Sequence, residues 1–323
     1  MTGSGPRHLF RPFFPVLLSA LAFFASVACG GEPGEEQPEE RTLEEEEGQA
    51  VFSMRVSGVG LRTPESVLHD PEADVYLVAN ISGDPAAKDD DGFISRIRPR
   101  GKVEELRWID GAAGHVTLHA PKGMALVGDT LFVADIDCIR RFHRVTGEPG
   151  LGICLDDAGF LNDLAAGPDG DLYISDSGTR EEPGGIYRLR NRADVPHKVV
   201  LADGTVLEGE GVGGPNGLVA DERGLFVVTS DSGEIFRVTP EGERVPLLPP
   251  SDMQLDGLVS LEEWGFLFSS WEDGAVYWTT PDGNITILVD GLEAPADLGY
   301  DARRNRVLIP LFRGNELLIR EVR

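Results

Sequence analysis

Six short segments of the chain share a similar opening phrase, and the side chains at its second position are of types that can do chemistry. The segments are Pro64-Glu65-Ser66-Val67, Pro121-Lys122-Gly123-Met124, Leu161-Asn162-Asp163-Leu164, Pro215-Asn216-Gly217-Leu218, Leu255-Asp256-Gly257-Leu258 and Pro295-Ala296-Asp297-Leu298. Their second residues are Glu65, Lys122, Asn162, Asn216, Asp256 and Ala296, spaced 57, 40, 54, 40 and 40 positions apart. Brought together, Glu65, Asn162, Asn216 and Asp256 form an all-oxygen donor set of net charge −2. Such a set suits a hard divalent cation, calcium first, with waters completing its coordination.

The elements that must position these residues follow from the same repeat. Each phrase is followed by a turn and a β-rich run: Val75 to Asn80, Leu131 to Asp135, Leu172 to Asp176, Leu225 to Thr229, Phe266 to Ser270 and Val307 to Leu311. A third apolar strand comes next, as in Gly184 to Leu189, Gly233 to Val238 and Gly274 to Thr279, then a fourth such as Ile285 to Val289. A period near 40 residues with four short strands is one propeller blade. The spacing therefore predicts an all-β, six-bladed β-propeller over residues 49–323. Its sixth blade runs out of chain after three strands, and residues 51–57 supply the missing outer strand and close the ring. First strands line the channel of a propeller, so the second column of the phrase becomes a ring at one mouth. The connections 81–92 and 178–183 lie on that face and are expected to shape access to it.

These phrases resemble those of the senescence marker protein (regucalcin)/gluconolactonase family and its relatives, the paraoxonases and diisopropyl fluorophosphatase. Residues 65–71, Glu-Ser-Val-Leu-His-Asp-Pro, are similar to that family's Glu-x-Pro-x-x-Asp-Pro opening, and Asn162-Asp163, Pro215-Asn216-Gly217 and Asp256-Gly257 match its later blade openings. The resemblance spans residues 51–323 and implies a channel metal held by Glu65, Asn162, Asn216 and Asp256. It also implies that the cation polarises a lactone carbonyl or phosphoryl oxygen, with Asp256 acting beside it as general base or nucleophile. The implied reaction is hydrolysis of a small ester or lactone. Two departures bear on the substrate and the base. Phe160 stands where gluconolactonase-like members carry an arginine for a sugar acid, which disfavours a sugar lactone. Lys122 stands where the paraoxonase branch has a histidine.

Lys122 leaves two readings open: an amine acting as a base of depressed pKa, or an ammonium that pairs with Glu65 and Asp256 and replaces the metal. His115 and His119 lie in the loop entering the second blade, where His115 could reach substrate or assist Lys122; both could equally be ordinary loop residues. The competing function is a non-catalytic ligand- or protein-binding propeller of the NHL type, whose Pro-x-Gly openings recur without metal. No Gly-x-Ser-x-Gly elbow is present, so serine hydrolysis has no support. Gly209 to Gly214 precedes a strand and contains a glutamate, the wrong setting for a phosphate cradle.

Outside the repeat, residues 1–28 read as a signal peptide: Arg7 and Arg11 form a basic start and residues 13–27 an apolar stretch. Ser26-Val27-Ala28-Cys29 resembles a bacterial lipobox, so Cys29 is the expected lipidation site, and Gly30 after it favours the outer membrane, facing the periplasm. Residues 29–48 follow as an acidic linker with nine glutamates, too polar to bury a core. The whole chain carries −26, of which the residues beyond this linker hold −20, so acidity belongs mainly to the folded part. Excess acid argues against a phosphate-backbone partner; nucleic acid is not expected, and the protein is expected to be a monomer. Cys138 and Cys154 flank a turn in the second blade, as either a cross-strand disulfide or two buried thiols.

Overall fold

The computed structural model describes residues 51–180, 184–190, 195–280 and 282–323. The signal peptide, Cys29 and the acidic linker lie outside the described residues, as does the 181–183 part of one access loop.

Six four-stranded antiparallel sheets make up the fold. Strand β1 (Ser53–Val56) comes first and is followed by blade one, β2 (Pro64–Asp70), β3 (Val75–Asn80), β4 (Phe93–Ile97) and β5 (Val103–Asp110). Blade two is β6 (Pro121–Val127), β7 (Thr130–Asp135), β8 (Cys138–His143) and β9 (Ile153–Cys154). Blade three is β10 (Leu161–Ala166), β11 (Leu172–Asp176), β12 (Gly185–Leu189) and β13 (His197–Lys198). Blade four is β14 (Pro215–Asp221), β15 (Gly224–Thr229), β16 (Ile235–Val238) and β17 (Arg244–Leu248). Blade five is β18 (Leu255–Ser260), β19 (Phe266–Ser270), β20 (Ala275–Thr279) and β21 (Ile285–Val289). Blade six is β22 (Gly299–Asp301), β23 (Arg306–Leu311) and β24 (Glu316–Glu321), completed by β1, which pairs with β24 in antiparallel register from Ser53↔Arg320 to Val56↔Leu317. The expected closure is therefore present, and the first and last of the described strands share one sheet.

Hydrophobic patterning explains the layering. Second strands such as Val-Tyr-Leu-Val-Ala-Asn of β3 are buried at every residue, because neighbouring blades cover both faces of the sheet. Outer strands reach solvent; β21 exposes its first three residues. The core is accordingly divided among the clefts between blades, as in the cluster of Val75, Leu77 and Ile94 from blade one with Leu131, Val133 and Phe142 from blade two.

The innermost strands carry the device that makes the ring. In blades one to five the register between first and second strand shifts within the opening phrase, between Pro64 and Ser66, Pro121 and Met124, Leu161 and Leu164, Pro215 and Leu218, and Leu255 and Leu258. Each shift is a bulge that takes the ring residue out of the ladder and re-aims its side chain. Adjacent phrases are then stitched to one another. Ser66 Oγ donates to the Lys122 carbonyl at 2.7 Å, Leu218 N to Asp163 Oδ2 at 2.7 Å, Ser269 Oγ to the Ala296 carbonyl at 2.9 Å and Asp297 N to the Glu65 carbonyl at 2.9 Å. Glycine is required where strands crowd most closely: a Cβ on Gly257 would stand 2.2 Å from Leu298 N, and one on Gly217 2.4 Å from the Asp256 carbonyl oxygen.

In blade two, Cys138 and Cys154 form a disulfide across the β8–β9 pair. Of the two arrangements open from sequence, the cross-strand bond is the one formed. Blade six departs from the others: its opening phrase makes only isolated bridges, Pro295↔Leu311 and Asp297↔Ser66, and β22 starts at Gly299.

Candidate active site

In blades one to three the loop into the inner strand is tied down by the last residue of the second strand. Asp135 Oδ1 accepts from the His119 and Ala120 N–H groups, and Asp176 accepts from Phe160 N at 2.7 Å and Gly159 N at 3.1 Å. Asn80 Oδ1 accepts from Arg62 N at 2.9 Å. These anchors fix the backbone just ahead of Glu65, Lys122 and Asn162. The sequence held a signal for them, since an acid or amide closes the β-rich run in each of the first three blades.

Glu65, Lys122, Asn162, Asn216 and Asp256 all line one cavity of about 310 Å³ at the channel mouth. Its walls mix the apolar and aromatic side chains of Ile81, Pro85, Phe160, Leu255, Trp271 and Phe312 with the polar Ser230, Asp231 and Gln254. Trp271 and Phe312 pack with ring centroids 5.1 Å apart. Ile81 and Pro85 come from the connection after β3, one of the two that sequence placed at this mouth. Ala296, the sixth ring position, is buried and is not part of the lining.

Three oxygen atoms of the ring are buried without a hydrogen-bond partner: Glu65 Oε2, Asn216 Oδ1 and Asp256 Oδ1. Orphaned buried acceptors are rare in folded proteins and call for an occupant. Two other ring atoms are held. Trp271 Nε1 donates to Asp256 Oδ2, and Asn162 Nδ2 donates to Ser177 Oγ at 3.0 Å, which in turn donates to the Pro215 carbonyl at 2.9 Å. Asn162 thus keeps its carbonyl oxygen as its uncommitted polar atom. An oxygen-only set with three unsatisfied acceptors fits a hard cation. Among the described residues no three His, Cys, Asp or Glu side chains form a metal-holding group by themselves, so the two amides belong to any such donor set.

Burial dominates the electrostatics. It pushes the Asp256 carboxyl up to about 7, with the Trp271 hydrogen bond and the neighbouring Asn216 amide opposing and the Asp163 charge adding. Glu65 is raised well above its usual value by burial and then by Asp256, while the Lys122 charge pulls it back. Two further carboxyls, Asp163 and Asp297, stand one residue beyond the ring positions and were not among the residues singled out from sequence. Burial lifts Asp163 to about 7 against the Leu218 and Leu164 N–H groups; it lifts Asp297 well above the ordinary range, with Asp163, Glu65 and Asp256 adding. Four buried carboxyls with one lysine leave the channel short of positive charge.

Lys122 is 1% exposed, and its amine donates to the Pro85 carbonyl at 3.1 Å and the Ala120 carbonyl at 3.2 Å. The Phe160 ring lies 4.1 Å from the amine. Burial lowers the Lys122 pKa to about 8, with Glu65 and Asp135 resisting. Its hydrogen bonds run to backbone carbonyls at the wall, and it makes no ion pair with Glu65 or Asp256, the pairing that one sequence reading required. His115 is exposed and does not line the cavity, so it is not brought to the ring. His119 Nδ1 lies 3.1 Å from both the backbone nitrogen and Oδ1 of Asp90, which occupies it in the loop.

The sequence matches no protein-family model and no curated protein. Solved structures do resemble the chain. A gluconolactonase from Xanthomonas campestris is 16% identical, with 84% of this chain and 90% of that one covered at a TM-score of 0.62. A streptogramin B lyase is 12% identical, covering 84% and 98% at 0.59. A catalytically inactive His→Ala variant of virginiamycin B lyase from Staphylococcus aureus, solved with quinupristin, is 14% identical, covering 85% and 100% at 0.53. At these identities the likeness is one of fold, and it places the chain among propellers that include gluconolactonases and streptogramin lyases.

Proposed function

We propose that the protein is a metal-dependent hydrolase of the lactonase/arylesterase type, acting on a small ester or lactone. The observation that carries this reading is the trio of buried, unpartnered oxygens on Glu65, Asn216 and Asp256 at the floor of the cavity. With the Asn162 carbonyl they would hold a divalent cation, calcium being the best match to oxygen donors of mixed charge. When bound, that cation supplies Lewis-acid polarisation of the scissile carbonyl and charge stabilisation of the developing oxyanion.

The chain's own groups supply the rest. Asp256, whose metal-free carboxyl burial raises to about 7, is the carboxylate beside the proposed cation that would act as general base. Oδ1 faces the proposed cation, so the proton of the attacking water would pass to Oδ2, the oxygen that Trp271 Nε1 orients. A new C–O bond forms to that water's oxygen, the ester C–O bond breaks, and the departing alkoxide recovers the proton from Asp256. Phe160, Trp271 and Phe312 enclose the substrate's apolar part and exclude bulk water. Lys122 tunes Glu65 from the wall. Lys122, the one cationic side chain lining the cavity among the described residues, is committed to backbone carbonyls, which favours neutral substrates over sugar acids.

A lyase reading, suggested by the streptogramin lyase neighbours, is less well supported: the S. aureus lyase was inactivated by replacing a histidine, and no histidine lines this cavity. Cell-envelope placement through lipidation of Cys29 belongs to the same proposal, and radiolabelled palmitate incorporation that Cys29→Ser abolishes is its expected signature.

The deciding experiment is calorimetric titration of calcium into wild type and Asp256→Asn, followed by assays on aryl acetates and neutral lactones. One calcium per chain and turnover in wild type, both lost in the variant, is the expected result. Calcium binding with no turnover on any ester or lactone would leave a binding propeller with a structural ion.

A further inference from the structure

The outer strands of the six blades are protected unequally. Strand β5 carries Glu104, Glu105 and Arg107; β9 and β13 are two residues each; β17 contains Arg244 and Pro246; β1 contains Arg55. Charge, proline and shortness are the means by which proteins keep edge strands from pairing. Strand β21, Ile-Thr-Ile-Leu-Val, has none of them: it is five residues long, uncharged and free of proline. Ile285 and Ile287, which share a face, are 42% and 57% exposed.

A groove of about 1070 Å³ runs between blades four and five beside this edge and includes Ile285 in its lining. Phe226, Phe266, Phe268 and Ile235 also line it. Its charged lining is four carboxylates, Asp221, Glu222, Glu262 and Glu263, against Arg223 and Arg237, a net −2. Arg223 is already spent: it is ion-paired with Asp221 at 2.5 Å and lies 4.9 and 4.8 Å from the Phe226 and Phe266 ring centres. Glu222, Glu262 and Glu263 are exposed and make no ion pair among the described residues. Trp264, 70% exposed, is tied to this surface, because its carbonyl accepts from Trp278 Nε1 at 2.8 Å and Trp278 pairs with Thr286 of β21.

We propose that β21 and this groove form a docking site for an extended, lysine- or arginine-bearing segment of a partner protein, added as a fifth strand to blade five. Main-chain pairing to β21 supplies affinity, apolar side chains of the segment cover Ile285 and Ile287, and its cationic side chains meet the three unpaired glutamates. A second copy of this chain is disfavoured by charge, since a like acidic rim would face this one. The site is separate from the channel mouth and does not depend on the reading given for it.

The test titrates the full-length chain with a ten-residue peptide alternating valine and lysine, followed by intrinsic tryptophan fluorescence with Trp264→Phe identifying the part that Trp264 contributes. Two controls accompany it: the same peptide N-methylated at alternate residues, and a valine–glutamate counterpart. The expected result is saturable binding that N-methylation weakens at least tenfold, that Ile287→Lys weakens at least tenfold with the melting temperature unchanged, and that the acidic peptide lacks. Equal binding of the methylated and unmethylated peptides would mean diffuse attraction to an acidic protein and would overturn the proposal. So would a wild-type dimer in sedimentation that Ile287→Lys converts to monomer, since the edge would then serve self-association.

Discussion

Asp256 is the residue on which burial, charge and hydrogen bonding meet most sharply. Its Oδ1 has no partner and its Oδ2 is held by Trp271, so the two oxygens have different duties. Trp271→Phe keeps the ring's shape and removes the donor. It is expected to retain one calcium per chain while turnover falls about 10- to 100-fold, the usual cost of losing an outer partner of a metal-site carboxylate; the measurement is kcat against calcium stoichiometry. Asp256→Asn is expected to lose the ion yet leave the metal-free melting temperature unchanged or higher, because it removes a carboxylate that burial penalises. The ring residues were legible because acids and amides stand out at the second position of phrases that are otherwise small and apolar. Asp163 and Asp297 escaped notice because the third position also holds serine and glycine, and nothing local marks its acids as facing the same channel. The shielding of Lys122 was beyond sequence too, since it depends on Phe160 from the next blade and Pro85 from a loop 37 residues away.

At the scale of elements, tight contact between inner strands sets what substitution the channel tolerates. A methyl at Gly257 would meet the Leu298 nitrogen at 2.2 Å and Asp297 Cα at 2.7 Å, both backbone atoms that cannot rotate away. Gly257→Ala is therefore expected to cost about 1–3 kcal/mol by urea denaturation, as overpacking does elsewhere. The disulfide acts on a different element. It closes a loop with a sequence separation of 16 over β9, which has only two residues and little ladder of its own. Cys138→Ser with Cys154→Ser is expected to lower stability by about 3 kcal/mol and to free the end of blade two for faster amide exchange. The strand runs were readable from β-branched and aromatic residues flanked by turns, and so was closure by the first strand. Less readable were outer strands β9 and β13, whose pairing is two residues long and set by neighbours rather than by local pattern.

At the scale of the whole molecule, two sets of carboxylates respond to pH in opposite senses. On inner strand β2, burial alone would raise Asp70, but the Arg144 guanidinium and the Ala73 and Glu72 N–H groups hold it below its usual value. Its stabilisation is present above the ordinary carboxylate range and is lost as pH falls through the folded value. Asp163 and Asp256 in the channel are raised to about 7, so the stability they allow is complete below their unfolded value near 3.8 and is lost as pH rises to about 7. Lys122, lowered only to about 8, stays charged across that window and adds no slope to it. In excess chelator the melting temperature is therefore expected to fall as pH rises from 4 to 7. Calcium held by the folded ring alone, as proposed, would at a hundred times its dissociation constant return about 2.7 kcal/mol. Scanning calorimetry at pH 5 and pH 7.5, with calcium or with chelator, checks both signs. The calcium-induced shift is expected to be large at pH 7.5 and small at pH 5, where protons already neutralise the channel. A shift of equal size at both values would place the ion on exposed carboxylates away from the channel, such as Asp89 and Asp91, and would remove the ring from the account.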